Sequence, residues 1–396
     1  MPEVEASTTA DRSATGRLLS IDALRGFDMF WIAGGEDIVK AWATWTSWSG
    51  AERVKEQFEH VDWEGFRFYD LIFPLFLFLV GVVLPFSLGK MREKGLSWRT
   101  IYLRIIRRTA LLFFLGLTVY GFMQFKFAEQ RYVGVLQRIA VCYAIAAVIV
   151  LHTRVWFQTI VVLGILGGYF ALLAYVPSPE SGMAADYRKM SNLAGYMDKH
   201  YLPGKISRGW YGYGDNEGLL STIPAVATTL LGALAGHWLL SRRSQRKKVL
   251  GLLAAAGLCL AAGYLWGGGK IWMGGEQWIT PVPEAYQFPI IKNIWTSSYA
   301  LFAAGWSFLL LALFYWIIDV LGFRAWSFFF AVIGANEILI YVAKECVDFE
   351  KIADYFLGGV IKHSGSFQPV MNAIAIVLVQ WVCLYFLYRK RIFLRV

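Results

Sequence analysis

The sequence is poor in charge. Only 17% of its 396 residues are Asp, Glu, Lys or Arg, against about 25% in soluble domains. Beside 57% hydrophobic and 17% aromatic residues, that deficit excludes an ordinary soluble domain. Cysteine is scarce too. Cys142, Cys259, Cys346 and Cys383 all fall in apolar segments and lack CxxC spacing, so neither a zinc site nor a disulfide framework is indicated, and they read as small buried hydrophobes. No metal centre is expected. The sequence has no GxSxG elbow, no GxxxxGK[ST] loop, no HExxH and no GxGxxG after a strand, which removes the corresponding hydrolase, nucleotide and zinc-protease signatures. The glycine-rich WGGGKIWMGGE (266–276) lacks Walker spacing and reads as a flexible or close-packing loop. Net charge +10 does not imply nucleic acid, because basic cytoplasmic loops account for it in a membrane protein.

What the chain has instead is apolar runs of about 20 residues, the length that crosses a bilayer. They predict an all-α polytopic membrane protein with about ten transmembrane helices in one bundle. The expected spans are 19–41, 67–88, 101–123, 133–151, 157–176, 219–240, 249–266, 296–319, 327–346 and 369–388. Residues 1–16 read as a disordered cytoplasmic tail, not a cleavable signal, and 17–396 as a single transmembrane domain. KMREKGLSWR, SRRSQRKK and RKRIFLRV are dense in positive charge, whereas the long loops 177–218 and 267–295 are not. Both termini are therefore expected in the cytoplasm, with His60, Asp215 and Asn293 on the outer side. The stretch 348–365 is too short and polar to span, and reads as an amphipathic interfacial helix or a re-entrant piece.

Charge inside such a bundle needs partners, because one ionised group at a helix centre costs about 2.5–3.5 kcal/mol on insertion scales. Asp22, Arg25 and Asp28 lie near one face of the first span, either as a self-neutralising stack or as ligand contacts. Arg99, Arg104, Arg107 and Arg108 are a topology signal or, more sharply, a phosphate site, since guanidinium forks match phosphate oxygens. Gln137 and Arg138 open the fourth span, and Arg138 is expected to pair with Asp70. Asn336 and Glu337 sit in the ninth. Asp215, Asn216, Glu217 and Asn293 lie at the outer boundary with Trp210, Trp278 and Trp295. That mixture suits either an aromatic belt or a carbohydrate, whose hydroxyls need hydrogen bonds and whose ring faces stack.

The densest polar stretch is EHVDWEGFRFYDLIFP, residues 59–74, at the start of the second span. His60 lies within reach of three carboxylates, Asp62, Glu64 and Asp70. A neutral imidazole oriented by a carboxylate can act as a general base towards an amine, or accept an acyl group itself. The residue types leave open which carboxylate orients it. A solvated loop histidine is the bland alternative.

Several stretches together resemble the transmembrane heparan-α-glucosaminide N-acetyltransferase family and its bacterial members. They are HVDWEGFRFYDLIFP with His60, Trp63, Gly65, Asp70 and Pro74; GVLQRI (134–139); DNEGLLSTI (215–223); PIIKNIWTSSY (289–299); and ANEILIYVAKE (335–345). SIDALRG is shared more widely among membrane acyltransferases. The resemblance implies a single acyltransferase domain that moves an acetyl group from cytoplasmic acetyl-CoA to the amine of an extracytoplasmic glucosamine-type sugar or glycan. It implies catalysis by His60 with Asp70. With that reaction in view, the residue types make Arg25, Arg99, Arg104, Arg107, Arg108, Gln137 and Arg138 the candidates for acetyl-CoA. Asp62, Trp63, Glu64, Asp215, Glu217, Asn293, Trp295, Asn336 and Glu337 would face the acceptor. The implied location is a bacterial inner membrane, the partners are that small molecule and the lipid bilayer, and a homodimer is compatible with such a bundle. Animal members carry an asparagine-tyrosine-glycine stretch where this chain has WIAGGEDIVKAW, and the loop before His60 is longer here. The competing readings are a transporter of a sugar or sugar-lipid, which inverted repeats with broken helices would favour, and a non-enzymatic member of the superfamily.

Overall fold

A computed structural model describes residues 18–206, 212–269 and 282–394. The 1–16 tail, Trp210, Trp278 and most of the glycine-rich stretch lie outside these. The described chain is helical, and its β-pairing consists of isolated bridges, Glu64 with Ile291 and Arg131 with Gly204. The helices are α1 (Leu19–Phe30), α2 (Glu36–Trp45), α3 (Ala51–Gln57), α4 (Ile72–Glu93), α5 (Trp98–Val119), α6 (Val135–His152), α7 (Val155–Tyr175) and α8 (Leu193–Tyr201). They continue with α9 (Thr222–Leu240), α10 (Gln245–Trp266), α11 (Ser297–Phe314), α12 (Ser327–Gly334), α13 (Glu337–Cys346), α14 (Phe349–His363) and α15 (Gln368–Arg389).

Among the described residues, seven helices are long and apolar enough to cross a membrane: Phe68–Glu93, Val135–His152, Val155–Tyr175, Thr222–Leu240, Gln245–Trp266, Ser297–Val320 and Gly365–Arg389. The other three expected spans differ. The first is interrupted by a wide π-turn at Trp31–Gly35, where Gly34 takes φ +135°, a conformation that favours glycine. Lys344 Nζ donates to the Ile32 carbonyl at 2.7 Å in that break. The third, α5, is a helix of 22 residues that carries Arg99, Arg104, Arg107 and Arg108. The ninth is split into α12 and α13, bent by 70°, with Asn336 in a non-helical conformation between them.

Small residues set how closely the helices meet, as expected where van der Waals packing rather than hydrophobicity joins them. A Cβ on Gly81 would lie 1.8 Å from the Thr229 carbonyl oxygen, and one on Gly232 would lie 1.9 Å from that of Phe78. The α4 and α9 backbones therefore touch directly. Gly26 meets the Phe330 carbonyl and Gly334 that of Asp22 in the same way, seating α12 on α1. α14 lies along α15, yet leaves Tyr355, Phe356 and Val360 exposed. Cys142 and Cys259 are buried as expected. Cys346 and Cys383 are exposed, because they fall at the end of α13 and on the outward face of α15, beside Val382.

The two ends of the bundle differ. α4 begins just after Asp70 and ends near Arg92, whose Nη2 reaches the Leu151 carbonyl at 2.6 Å. Trp98 stacks on His152 there, with centroids 5.2 Å apart. The basic loop after α4 is thus at the end opposite His60.

Candidate active site

At the Asp70 end of α4 a cavity of about 560 Å³ opens between α1, α2, α4, α6 and α13. Its polar wall is sewn together from two loops distant in sequence. Gly65, at φ +129°, donates its N–H to the Ile290 carbonyl at 2.9 Å, and Glu64 bridges to Ile291. That stitch carries Lys292 to His60.

Asp70 closes a short 3-10 turn, Phe68–Leu71, just ahead of α4. Its Oδ2 accepts the backbone N–H groups of Arg67 (3.1 Å) and Val61 (3.4 Å). Its Oδ1 lies 2.8 Å from His60 Nδ1 and 3.0 Å from Lys292 Nζ. Lys292 Nζ is in turn 2.9 Å from His60 Nδ1. Of the three carboxylates near His60 in sequence, Asp70 is the one that meets its ring. The pKa of His60 is lowered, first by burial and then by the Lys292 charge, with Asp70 pulling the other way; the neutral ring is favoured. Tyr69 lies beside it, ring centroids 5.0 Å apart.

Across the cavity, Arg131 is clamped by two carboxylates. Its Nε and Nη2 donate to Asp215 (2.9 and 2.5 Å), and Nη2 also donates to Glu217 at 2.5 Å. Buried Asp198 fixes that loop by accepting the backbone N–H groups of Asp215 (3.2 Å) and Leu219 (2.8 Å). Burial pushes Asp198 up to about 7. Glu36 and Lys40, 2.8 Å apart, line the α2 side.

A second chamber of about 230 Å³ lies deeper, and Ile338 lines both. Its walls include Arg25, Arg108, Glu337, Phe393 and Leu394. Arg25 grips Glu337 with a guanidinium fork, Nε to Oε2 at 2.7 Å and Nη2 to Oε1. Arg108 stacks over Tyr143 at 4.5 Å. The buried Arg108 Nε has no hydrogen-bond partner among the described residues.

Comparison with known proteins supplies the context for this geometry. Residues 17–125 match the model of a domain of unknown function, DUF5009. The human heparan-alpha-glucosaminide N-acetyltransferase is 27% identical over 388 residues, 86% of this chain. The mouse heparan-alpha-glucosaminide N-acetyltransferase is 26% identical over 438 residues, 97% of this chain. The chain is a distant relative of the heparan-alpha-glucosaminide N-acetyltransferases. It spans 56% and 61% of the length of these two relatives.

Set against what this acetyltransferase resemblance implies, the structure brings His60 and Glu217 to one cavity, with buried Asp70 behind His60, and Arg25, Arg108 and Glu337 to the next. Arg99, Arg104 and Arg107 are exposed and line neither. Gln137 is buried against Gly116 of α5. Arg138 does not pair with Asp70. It donates to Ser221 Oγ and to the Gly218 carbonyl (3.4 Å), under the Trp295 ring at 5.0 Å. Its place on α6 turns it towards α9, and Lys292 takes the position at Asp70. Asp62 pairs with Lys189 at 2.6 Å, and the Trp63 indole donates to the Tyr187 carbonyl at 2.8 Å. Glu64 is exposed, Asn293 and Trp295 are buried, and the Trp295 indole donates to Thr228 at 3.2 Å. Asn336 holds the C-terminal segment, donating to the Ile392 carbonyl (3.0 Å) and accepting the Leu394 N–H (2.9 Å). Lys292, Arg131, Glu36, Lys40 and Tyr69 are cavity residues that the sequence reading did not single out. Lys292 had a signal: it lies inside the PIIKNIWTSSY stretch.

Proposed function

We propose that this chain is an integral membrane N-acetyltransferase that moves an acetyl group from cytoplasmic acetyl-CoA to the amine of an amino sugar on the far side. The observation that carries this reading is the His60–Asp70 pair, 2.8 Å apart, in the wall of a cavity of about 560 Å³. The names of the relatives support the same reaction class. In this reading a bacterial inner membrane holds the protein, the basic end faces the cytoplasm, and His60 faces outward.

Acetyl-CoA supplies the activated thioester. The deeper chamber has groups suited to such a donor. The buried Arg108 Nε–H lacks an acceptor among the described residues, and a phosphate oxygen would satisfy it. Arg25 and Arg108 would hold phosphate there, and the shared Ile338 wall leads from that chamber to His60. Asp70 fixes the imidazole, its own oxygens aligned by two backbone amides. Neutral His60 either takes the proton that the attacking amine loses, or receives the acetyl group first and passes it on; both routes release a free thiol. Carboxylates at Glu36 and Glu217 give the cavity acceptors for an ammonium and for sugar hydroxyls.

The test is acetyl transfer to glucosamine by protein purified in detergent, comparing wild type with His60→Ala. The expected result is loss of transfer by about 10²-fold or more, with acetyl-CoA binding retained. Failure of both proteins to bind acetyl-CoA would refute the reading.

A further inference from the structure

His60 Nδ1 has two partners that make opposite demands on it. Asp70 Oδ1, at 2.8 Å, accepts only, so it calls for a proton on Nδ1. Lys292 Nζ, at 2.9 Å, donates when ionised, so it calls for a lone pair there. One nitrogen cannot meet both. The third side of the triangle, Lys292 to Asp70 at 3.0 Å, keeps the ammonium beside the contested atom.

Two corners of this triangle are fixed. Asp70 is held by backbone amides on Oδ2, and its carbonyl accepts the Tyr299 hydroxyl at 2.8 Å. The Lys292 carbonyl accepts the Trp295 N–H at 2.9 Å, while Ile291 N–H donates to Thr296 Oγ1 at 3.1 Å. What remains free to change is the proton on the imidazole and the flexible stem of the lysine.

We propose that Lys292 is a positioning residue that sets the tautomer of His60, holding it dormant until the cavity is loaded. The proposal rests on the acetyl-transfer reading above. With the Lys292 ammonium on Nδ1, the neutral ring carries its proton on Nε2, and Nε2 has no lone pair to act as base or nucleophile. A negatively charged or carbonyl-bearing substrate in the cavity draws the ammonium away. Nδ1 then gains a proton from water and keeps it, hydrogen-bonded to Asp70 Oδ1, while Nε2 gives one up to water. The proton count is unchanged, and the Nε2 lone pair is exposed only when substrate is present. An idle enzyme would then hydrolyse little donor.

The electrostatic surroundings of His60 come from several elements. Asp70 and Tyr69 face it from the turn before α4, Lys292 from the loop before α11, and Glu36 with Lys40 from α2. From its own loop, Glu59 lines the cavity and Arg67 donates to the His60 carbonyl at 3.3 Å. Arg131 and Glu217 stand on the opposite wall.

Two measurements test this without relying on acetyl transfer. The first is ¹⁵N NMR of the unliganded wild type with labelled histidine, His60 being identified among five histidines by subtraction of a His60→Gln spectrum. The expected spectrum above the titration range is a proton on Nε2; a dominant Nδ1–H tautomer would overturn the proposal. The second is the pH profile of His60 modification by diethyl pyrocarbonate, which attacks the neutral ring, in wild type, Lys292→Met and Lys292→Arg. Removing the cation should move the Lys292→Met midpoint up by about one pH unit, while Lys292→Arg stays near wild type. An unmoved midpoint in Lys292→Met would contradict the proposal. If the spectrum and profile behave as expected but wild type transfers no acetyl group, the acetyl-transfer reading fails and the tautomer assignment stands.

Discussion

Arg131 lies between Asp215 and Glu217 at hydrogen-bond distance of both, with its side chain 13% exposed. Removing one member of a buried ionic cluster leaves the rest uncompensated, at a cost of about 3–5 kcal/mol. Arg131→Leu is therefore expected to lower the thermal midpoint in detergent sharply, more than Arg104→Leu at an exposed position. Asp198 carries a pH dependence. Its folded pKa, about 7, is above the ordinary carboxyl value of about 4, so the folded state binds the proton more tightly. That contribution is complete below about pH 4 and is lost as pH rises through about 7. The stability difference between wild type and Asp198→Asn should therefore shrink or change sign across that window, and thermal melts at pH 4, 5.5 and 7 check it. His60 was legible at this scale as a candidate, because a histidine and carboxylates beside an apolar run are costly without a role. Which carboxylate meets it was not, since that depends on the turn before α4, and only the family resemblance named Asp70. Lys292 was not legible either, because its contact with His60 spans 232 positions and no local pattern reports such a meeting. The expected Arg138–Asp70 pair failed for a related reason: membrane depth can be read from sequence, but rotation about the helix axis is fixed by packing.

The helix scale is where small residues matter most. Gly232 lets the α9 backbone reach the Phe78 carbonyl of α4, and a Cβ there would lie 1.9 Å from that oxygen. Gly232→Leu should force the two helices apart and cost about 1–3 kcal/mol. Gly164→Ala on α7, with open space around it, should be neutral or stabilising by up to about 1 kcal/mol, because alanine is the better helix former. Differential scanning fluorimetry of both variants decides this. Seven apolar helices were visible as long runs with few charges, because composition over about 20 residues is a strong signal. The breaks at Trp31–Gly35 and at Asn336 were not, since hydropathy averages over a window and is blind to a single φ. These breaks have consequences. The first places Glu36 at the start of α2 on the cavity wall, and the second frees Asn336 to hold the C-terminal segment.

At the scale of the whole molecule, two chambers share Ile338, with His60 on one and Arg25 and Arg108 on the other. The basic loop after α4 is at the end opposite His60. The uneven distribution of Lys and Arg was legible, since those residues need no partner to be counted. The chambers were not, because they arise from α1, α4 and α13, which are far apart in sequence. The arrangement suits a reaction whose donor and acceptor meet from opposite sides. The most direct test uses sealed proteoliposomes in which His60 faces the lumen, with glucosamine trapped inside and acetyl-CoA added outside. The account predicts N-acetylglucosamine inside, free CoA outside, and neither with His60→Ala. Equal transfer by His60→Ala, or transfer only when both substrates share one side, would contradict it.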